Sequence, residues 1–130
     1  MPEKVTGGCL CGAVRYEAQA PIRAVTICHC GQCRKWHGHV GAYTAARNDR
    51  FTLTRDEGLA WFASSDFAKR GFCGKCGSSL FWKRNAGDQV SIAAGTIDGD
   101  TGLKAVKHIH VVDKGDYYDI GDGLPQEGRH

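Results

Sequence analysis

The sequence contains no long apolar run. No stretch approaches the ~18 apolar residues of a membrane-spanning helix, and the N-terminus, Met-Pro-Glu-Lys-Val-Thr-Gly-Gly, lacks the apolar core of a signal peptide. We therefore expect a cytoplasmic protein with no membrane partner. Linkers, internal repeats and low-complexity segments are absent from the 130 residues, so we predict a single domain over residues 1–130.

Long basic runs are absent as well. The 17 Lys and Arg residues exceed the 14 Asp and Glu residues by a formal charge of +3, and they are scattered along the chain. The charge therefore gives no indication of nucleic-acid binding, and we predict no nucleic-acid partner.

Helical periodicity is also missing, because no ten-residue stretch repeats its apolar residues every 3.6 positions. Proline is scarce at 3 residues and glycine abundant at 18. Short segments rich in β-forming residues occupy positions 14–18, 24–28, 39–45, 51–55, 59–63, 80–83, 90–94 and 105–112. We predict an all-β domain of short antiparallel strands, with one helical turn near 32–36 and a turn-rich segment from 115. Exposed edge strands would allow a homodimer.

Seven cysteines stand out in a chain that we expect in a reducing compartment, where disulfides are rare. Cys9 and Cys11 form one close pair, and Cys73 and Cys76 form another, with Gly77 where a left-handed backbone turn is often needed. Together the pairs supply four sulfur ligands, which is the closed set of a structural zinc site. Such a site would tie the start of the chain to its middle.

The other three cysteines form the pattern Cys28-x-Cys30-x-x-Cys33. Three protein ligands with a free fourth position are typical of a reactive zinc. Other groupings of the seven cysteines remain open, as does a redox function for a C-x-x-C pair. A histidine could also close this second site, and the candidates are His29, His37 and His39.

An open zinc site with three thiolates carries a net charge of −1, so it activates water less well than a three-histidine site. A soft sulfur donor suits its fourth position better. A substrate thiol bound there would stay nucleophilic and could attack an aldehyde carbonyl. Arg34 and Lys35 follow Cys33 and could bind the carboxylates of an acidic thiol, or could simply be solvated surface charges.

The cysteine pattern and its surroundings resemble the glutathione-dependent formaldehyde-activating enzyme (GFA) family, which includes relatives of centromere protein V. The resemblance covers nearly the whole chain. Its motifs are Gly7-Gly-Cys-Leu-Cys-Gly-Ala-Val-Arg-Tyr16, Cys28-His-Cys-Gly-Gln-Cys-Arg34, Arg70-Gly-Phe-Cys-Gly-Lys-Cys-Gly-Ser-Ser-Leu80, Gly95-Thr-Ile-Asp98, His108-Ile109 and Asp122-Gly-Leu-Pro125.

The resemblance implies a β-tent fold and two zinc ions. Cys9, Cys11, Cys73 and Cys76 would hold the structural zinc, and Cys28, Cys30 and Cys33 the catalytic zinc. The implied activity is that of a carbon–sulfur lyase that condenses glutathione with formaldehyde.

His108 matches the family pattern. It could carry a proton near the second zinc, or it could be a hydrogen-bonded structural histidine. With His110 it alternates along a predicted strand, which places both on one face. The alternative function is a non-catalytic interaction module in which both zinc ions are structural.

Overall fold

The computed structural model describes residues 3–129, and most of their regular structure is β-strand. The described strands are β1 (Lys4–Gly8), β2 (Val14–Gln19), β3 (Val25–Cys28), β4 (Gly41–Arg47), β5 (Phe51–Asp56), β6 (Leu59–Ala63), β7 (Ala68–Cys73), β8 (Ser79–Arg84), β9 (Gln89–Ala93) and β10 (Ala105–Ile109). The described helices are α1 (Gly31–His37) and three short 3-10 helices, Asn48–Arg50, Ala94–Thr96 and Val111–Asp113. Residues 1, 2 and 130 of the predicted domain lie outside this description, and the single-domain organisation stays a prediction.

The strands form two sheets. The smaller sheet has the order β1-β2-β5, and the larger has the order β10-β3-β4-β9-β8-β7-β6. All strand pairs are antiparallel except β10 with β3, which run parallel. The prediction of an all-β fold of short antiparallel sheets is therefore confirmed, with the parallel pair β10 and β3 as the departure from it.

The core forms where β2 of the smaller sheet packs against β8 and β9 of the larger one. Val14, Tyr16 and Ala18 alternate along β2 and are buried almost completely, as expected for a half-buried strand. The Tyr16 ring lies 5.5 Å from the Phe81 ring in an edge-on contact and 5.7 Å from the Phe51 ring. These aromatic contacts fix how the two sheets meet.

Two strands were missed by the sequence prediction. In β1, glycines interrupt the apolar pattern, and Gly7 is required because a Cβ atom there would lie 2.3 Å from the Tyr16 hydroxyl. In β7, the position that the pattern would fill with an apolar residue is Arg70, whose side chain is buried. The segment therefore does not resemble an amphipathic strand.

Helix α1 packs across the edge formed by β6 and β7. Its Trp36 ring lies 5.6 Å from Phe72 and 5.9 Å from Phe62. The helix ends at Gly38, which has a left-handed φ of 79° and donates its N–H to the Arg34 carbonyl at 2.9 Å. The predicted single turn is thus a two-turn helix. No helix among residues 3–129 has the length and apolar character needed to span a bilayer.

Gly58, in the turn between β5 and β6, leaves the space that the Cys73 side chain occupies. A Cβ atom at this position would lie 2.7 Å from Cys73 Sγ and 3.0 Å from Ala13 Cβ. We expect Gly58→Ala to lower the free energy of unfolding by about 1–3 kcal/mol through overpacking. In contrast, Gly95→Ala, which meets no atom within 4 Å, should change it by less than about 0.5 kcal/mol. Urea unfolding of both variants measures the difference, and equal stabilities would contradict the prediction.

Candidate metal centres

Two turns bring four cysteines together at the junction of the two sheets. Cys9 and Cys11 lie between β1 and β2, whereas Cys73 ends β7 and Cys76 lies in the turn that follows. All four Sγ atoms lie within 4.8 Å of one another. The Cys11 Sγ atom is 3.7 Å from Cys9 Sγ and 3.8 Å from Cys73 Sγ. Four sulfurs at about 2.3 Å from a tetrahedral zinc are about 3.8 Å apart, so the donor set fits that ion.

Hydrogen bonds around this cluster stabilise thiolates. The Val14 N–H donates to Cys9 Sγ at 3.2 Å, and the Cys76 N–H donates to Cys73 Sγ at 3.5 Å. Hydrogen bonds from Ser78, led by its hydroxyl at 3.2 Å, lower the pKa of the Cys76 thiol to about 5. The predicted left-handed turn is present at Gly77, with a φ of 83°. These groups favour the deprotonated form of Cys76, whereas desolvation and the neighbouring cysteine sulfurs raise the pKa of Cys11 to about 11. Four thiolates together therefore need a cation.

A second cluster lies where β3 meets α1. Cys28 ends β3, Cys30 is the N-cap of α1, and Cys33 lies in the first turn with its N–H donating to Cys30 Sγ at 3.2 Å. The three Sγ atoms are also within 4.8 Å of one another. The prediction that the seven cysteines divide into four and three therefore agrees with their positions, and each group could hold a metal ion.

The close approach of the three sulfurs in the second cluster favours the binding of a cation. Hydrogen bonds from the thiols of Cys28 and Cys33 lower the pKa of Cys30, whereas the hydrogen bond that Cys28 gives to Cys30 raises the pKa of Cys28. The three sulfurs therefore lie close enough to compete for protons when no cation is present. Three thiolates together need a divalent ion, and sulfur donors select a thiophilic one.

The histidines proposed to close this cluster do not join it. Among residues 3–129, no His, Asp or Glu side chain belongs to the group formed by Cys28, Cys30 and Cys33. Each candidate histidine instead shares a hydrogen bond with a tyrosine hydroxyl: His29 with Tyr118, His37 with Tyr43 at 2.6 Å, and His39 with Tyr117 at 2.8 Å. The cluster thus has three protein donors in the described part of the chain.

His108 lies in a buried hydrogen-bonded chain. Its side chain is 4% exposed, its Nδ1 atom is 2.8 Å from His29 Nε2, and its Nε2 atom is 2.8 Å from Asp122 Oδ2. His110 lies elsewhere and lines the cavity described below. The prediction that both histidines share one face is wrong, because β10 ends at Ile109 and His110 has a left-handed φ of 55°.

A cavity of about 600 Å³ opens over the second cluster. Its walls include all three cysteines of that cluster together with Gln32, Tyr43 and His110. The lining residues with charged side chains are Arg23, Arg70, Arg84 and Lys107, and no Asp or Glu is among them. Lys107 forms an ion pair with Glu127 at 2.9 Å, so the positive charge that the cavity offers to an anionic ligand comes from its arginines.

Arg34 and Lys35, predicted to bind substrate carboxylates, are exposed on α1 and are not among the residues lining this cavity. Arg84 was missed by the sequence analysis. Its guanidinium lies 5.2 Å from the Phe67 ring and 5.7 Å from the Trp82 ring, which hold it at the cavity. Trp82 and Arg84 alternate along β8, and this spacing was the sequence feature that could have placed Arg84 on the same face as Trp82.

The geometry agrees with the comparisons with known proteins. Residues 4–113 match the profile of the family described as glutathione-dependent formaldehyde-activating enzyme, and the chain belongs to this family. An uncharacterized lyase of Schizosaccharomyces pombe is 30% identical over 124 residues, which span 94% of this chain and 88% of the relative. A crystal structure of a Rhodobacter sphaeroides protein has a TM-score of 0.57 and 27% identity, covering 75% of this chain and 91% of that one. These similarities support a lyase of the GFA type in general.

The hydrogen bonds of His108 to His29 and Asp122 predict that His108 anchors the C-terminal segment. His108→Ala would leave the buried His29 ring without one partner, at a cost of about 1–3 kcal/mol. We expect faster hydrogen exchange of the backbone amides in residues 115–129 and a lower free energy of unfolding. Val106→Thr, at an exposed position of the same strand, is the matched control and should change neither. Equal exchange rates in both variants would contradict the anchoring role.

Proposed function

We propose that the protein is a zinc-dependent carbon–sulfur lyase that joins a thiol, glutathione or a related one, to formaldehyde or another small electrophile. In this proposal Cys9, Cys11, Cys73 and Cys76 hold a structural zinc, and the reaction takes place beside Cys28, Cys30 and Cys33. Cytoplasmic location, a homodimer and the lack of a nucleic-acid partner remain predictions.

One observation carries the proposal: the second cluster combines three sulfur donors, no fourth donor among residues 3–129, and a cavity that all three cysteines line. A closed structural site would have its donor set complete. Three donors beside a cavity that can admit a ligand are the arrangement of a centre that accepts one.

A zinc ion held by these cysteines would supply the Lewis acidity that keeps a substrate thiol deprotonated near pH 7. The sulfur lone pair then forms a bond to the carbonyl carbon, the carbonyl π bond breaks, and the thiol proton ends on the new hydroxyl oxygen. The reverse reaction breaks the carbon–sulfur bond.

The charge of the cavity supports a thiol that carries carboxylates. Arg23 is held in place by hydrogen bonds from its Nη2 atom to the Tyr43 carbonyl at 3.0 Å and to Thr26 Oγ1 at 3.2 Å. The Arg23 guanidinium is therefore oriented before a ligand arrives. Arg84 is exposed and has its guanidinium beside the Phe67 and Trp82 rings, where it can meet a carboxylate. Glutathione, a tripeptide with two carboxylates and the substrate in the family's description, matches this chemistry.

His108 enters the proposal as a positioning residue. It touches His29, which lies between Cys28 and Cys30 in the chain, and it does not line the cavity. Its contribution to catalysis would therefore pass through His29 and the loop that carries the cysteines.

The proposal predicts different effects of two cysteine substitutions. Cys30→Ser should leave the protein folded, because the four-cysteine site is intact, but should return the rate of S-(hydroxymethyl)glutathione formation to the uncatalysed value. Exchange NMR measures this rate against the spontaneous reaction. If the wild-type protein does not accelerate the reaction over buffer alone, the proposed reaction is wrong.

Cys76→Ser is the matched comparison. It removes a ligand of the proposed structural zinc, whose binding can contribute on the order of 10 kcal/mol to the apparent stability of a small domain. We expect this variant to lose its far-UV circular dichroism spectrum at room temperature. If Cys30→Ser unfolded as readily as Cys76→Ser, the division into a structural and an open site would be wrong.

The alternative, an interaction module with two structural zinc ions, requires a complete donor set at both sites. Cadmium-substituted protein separates the two functions through its ¹¹³Cd chemical shift, which reports the number of sulfur ligands. We expect the second site to gain a fourth sulfur when glutathione is added, while the first site stays unchanged. A second site that does not respond to thiol would favour the interaction module.

A further inference from the structure

Arg70 is a buried cation whose contacts the proposed reaction does not require. It lies in the middle of β7 and is 3% exposed. Its Nε atom donates to Gln32 Oε1 at 2.8 Å, Nη1 donates to the Tyr43 hydroxyl at 3.2 Å, and Nη2 donates to Cys33 Sγ at 3.6 Å. The guanidinium also lies 5.9 Å from the Trp36 ring. Two elements, α1 and β4, therefore contact this one charged group on β7.

No carboxylate within residues 3–129 forms an ion pair with Arg70. A buried charge without a counter-charge is strongly unfavourable, and proteins tolerate one only when a partner is close. Gln32 and Tyr43 offer neutral oxygen atoms, which satisfy donors but carry no negative charge. The remaining contact is the sulfur of Cys33, which becomes an anion when the cysteine is deprotonated.

We propose that Arg70 is the fixed counter-charge of the three-cysteine cluster. The inference rests on the proposed function, in which Cys28, Cys30 and Cys33 bind a divalent ion as thiolates. Three thiolates with that ion carry a net charge of −1, which the guanidinium cancels. Arg70 thus lets a negatively charged centre exist in a buried wall of the cavity.

This role has a consequence for the substrate. A thiolate substrate adds another negative charge beside the cluster, and repulsion from an uncompensated centre would oppose its binding. With Arg70 in contact with Cys33, the centre is neutral before the substrate arrives. We therefore expect Arg70 to strengthen the binding of both the metal ion and the substrate anion, without contributing a proton or a ligand itself.

A purely structural role is the competing explanation, because Arg70 also connects α1, through Gln32, to β4, through Tyr43. The two roles differ in their dependence on the thiolates. A connecting role persists when the cysteines are replaced by serines, which keep similar size but stay neutral. A counter-charge becomes an unpaired buried cation in that background, so its removal there should be harmless or favourable.

The test is a double-mutant cycle on thermal stability. Arg70→Met should lower the melting temperature of the zinc-loaded protein by several degrees or more. In a protein with all three cysteines of the cluster replaced by serine, the same substitution should leave the melting temperature unchanged or raise it. Equal losses in both backgrounds would overturn the proposal.

Zinc retention provides a second measurement. It should change if Arg70 is a counter-charge and should stay the same if Arg70 only connects α1 to β4. Against a competing chelator, Arg70→Met should release the zinc of the three-cysteine site at a chelator concentration lower by about tenfold or more. Arg70→Lys keeps the charge and should recover most of the retention. Lys69→Met, at the neighbouring position where the ammonium lies 4.3 Å from the Trp61 ring, is the control and should retain zinc like the wild type.

The zinc content of the unmodified protein distinguishes the failure of this inference from the failure of the proposed function. Two zinc ions per chain with identical release curves for Arg70→Met and wild type would overturn the role of Arg70 alone. One zinc ion per chain, held by the four-cysteine site, would overturn the proposed function and the counter-charge with it.

Discussion

Four sulfur atoms at the junction of the two sheets are the contact on which the other parts of the structure depend. The turn between β1 and β2 meets the turn between β7 and β8 there, across 62 residues of chain between Cys11 and Cys73. A metal ion at this point would be a cross-link that forms only when both sheets are in place, which couples its binding energy to folding. The aromatic contacts of Tyr16 then fill the space between sheets whose relative position the cluster already restricts.

Strand β7 connects this site to the second cluster. Strand β7 begins at Ala68, leads into the four-cysteine site at Cys73, and on the way places Arg70 against the Cys33 sulfur of α1. The three-cysteine cluster is therefore assembled from β3, α1 and a charge on β7, beside a cavity whose charged lining residues are all cations. A thiolate-rich centre repels anions, so an anionic substrate requires compensation from the surrounding protein. The distribution of arginines around the cavity supplies it.

The sequence predicted which sulfurs lie close within each motif because ligand spacing is a local property. Joining Cys9 and Cys11 to Cys73 and Cys76 across 62 residues rested instead on the count of seven cysteines and on the family resemblance. C-x-C and C-x-x-C pairs place their sulfurs together whatever the rest of the chain does. Long-range features were harder to predict. The parallel pairing of β10 with β3 leaves no local signal. Strand β7 escaped detection because it buries Arg70, whose hydrogen-bond partners lie on α1 and β4, elsewhere in the chain. His110 does not share the face of His108 because β10 ends at Ile109, the residue before it. In each case a contact distant in sequence decided the local structure.

The central claim is that one metal site maintains the fold and the other is free to react, and stepwise chelation of the purified protein tests it most directly. Zinc content and far-UV circular dichroism would be followed together as chelator is added. The account predicts two zinc ions per chain, the first removed with no change in the spectrum and the second removed together with the folded structure. Release of both ions in a single step that coincides with unfolding would contradict it.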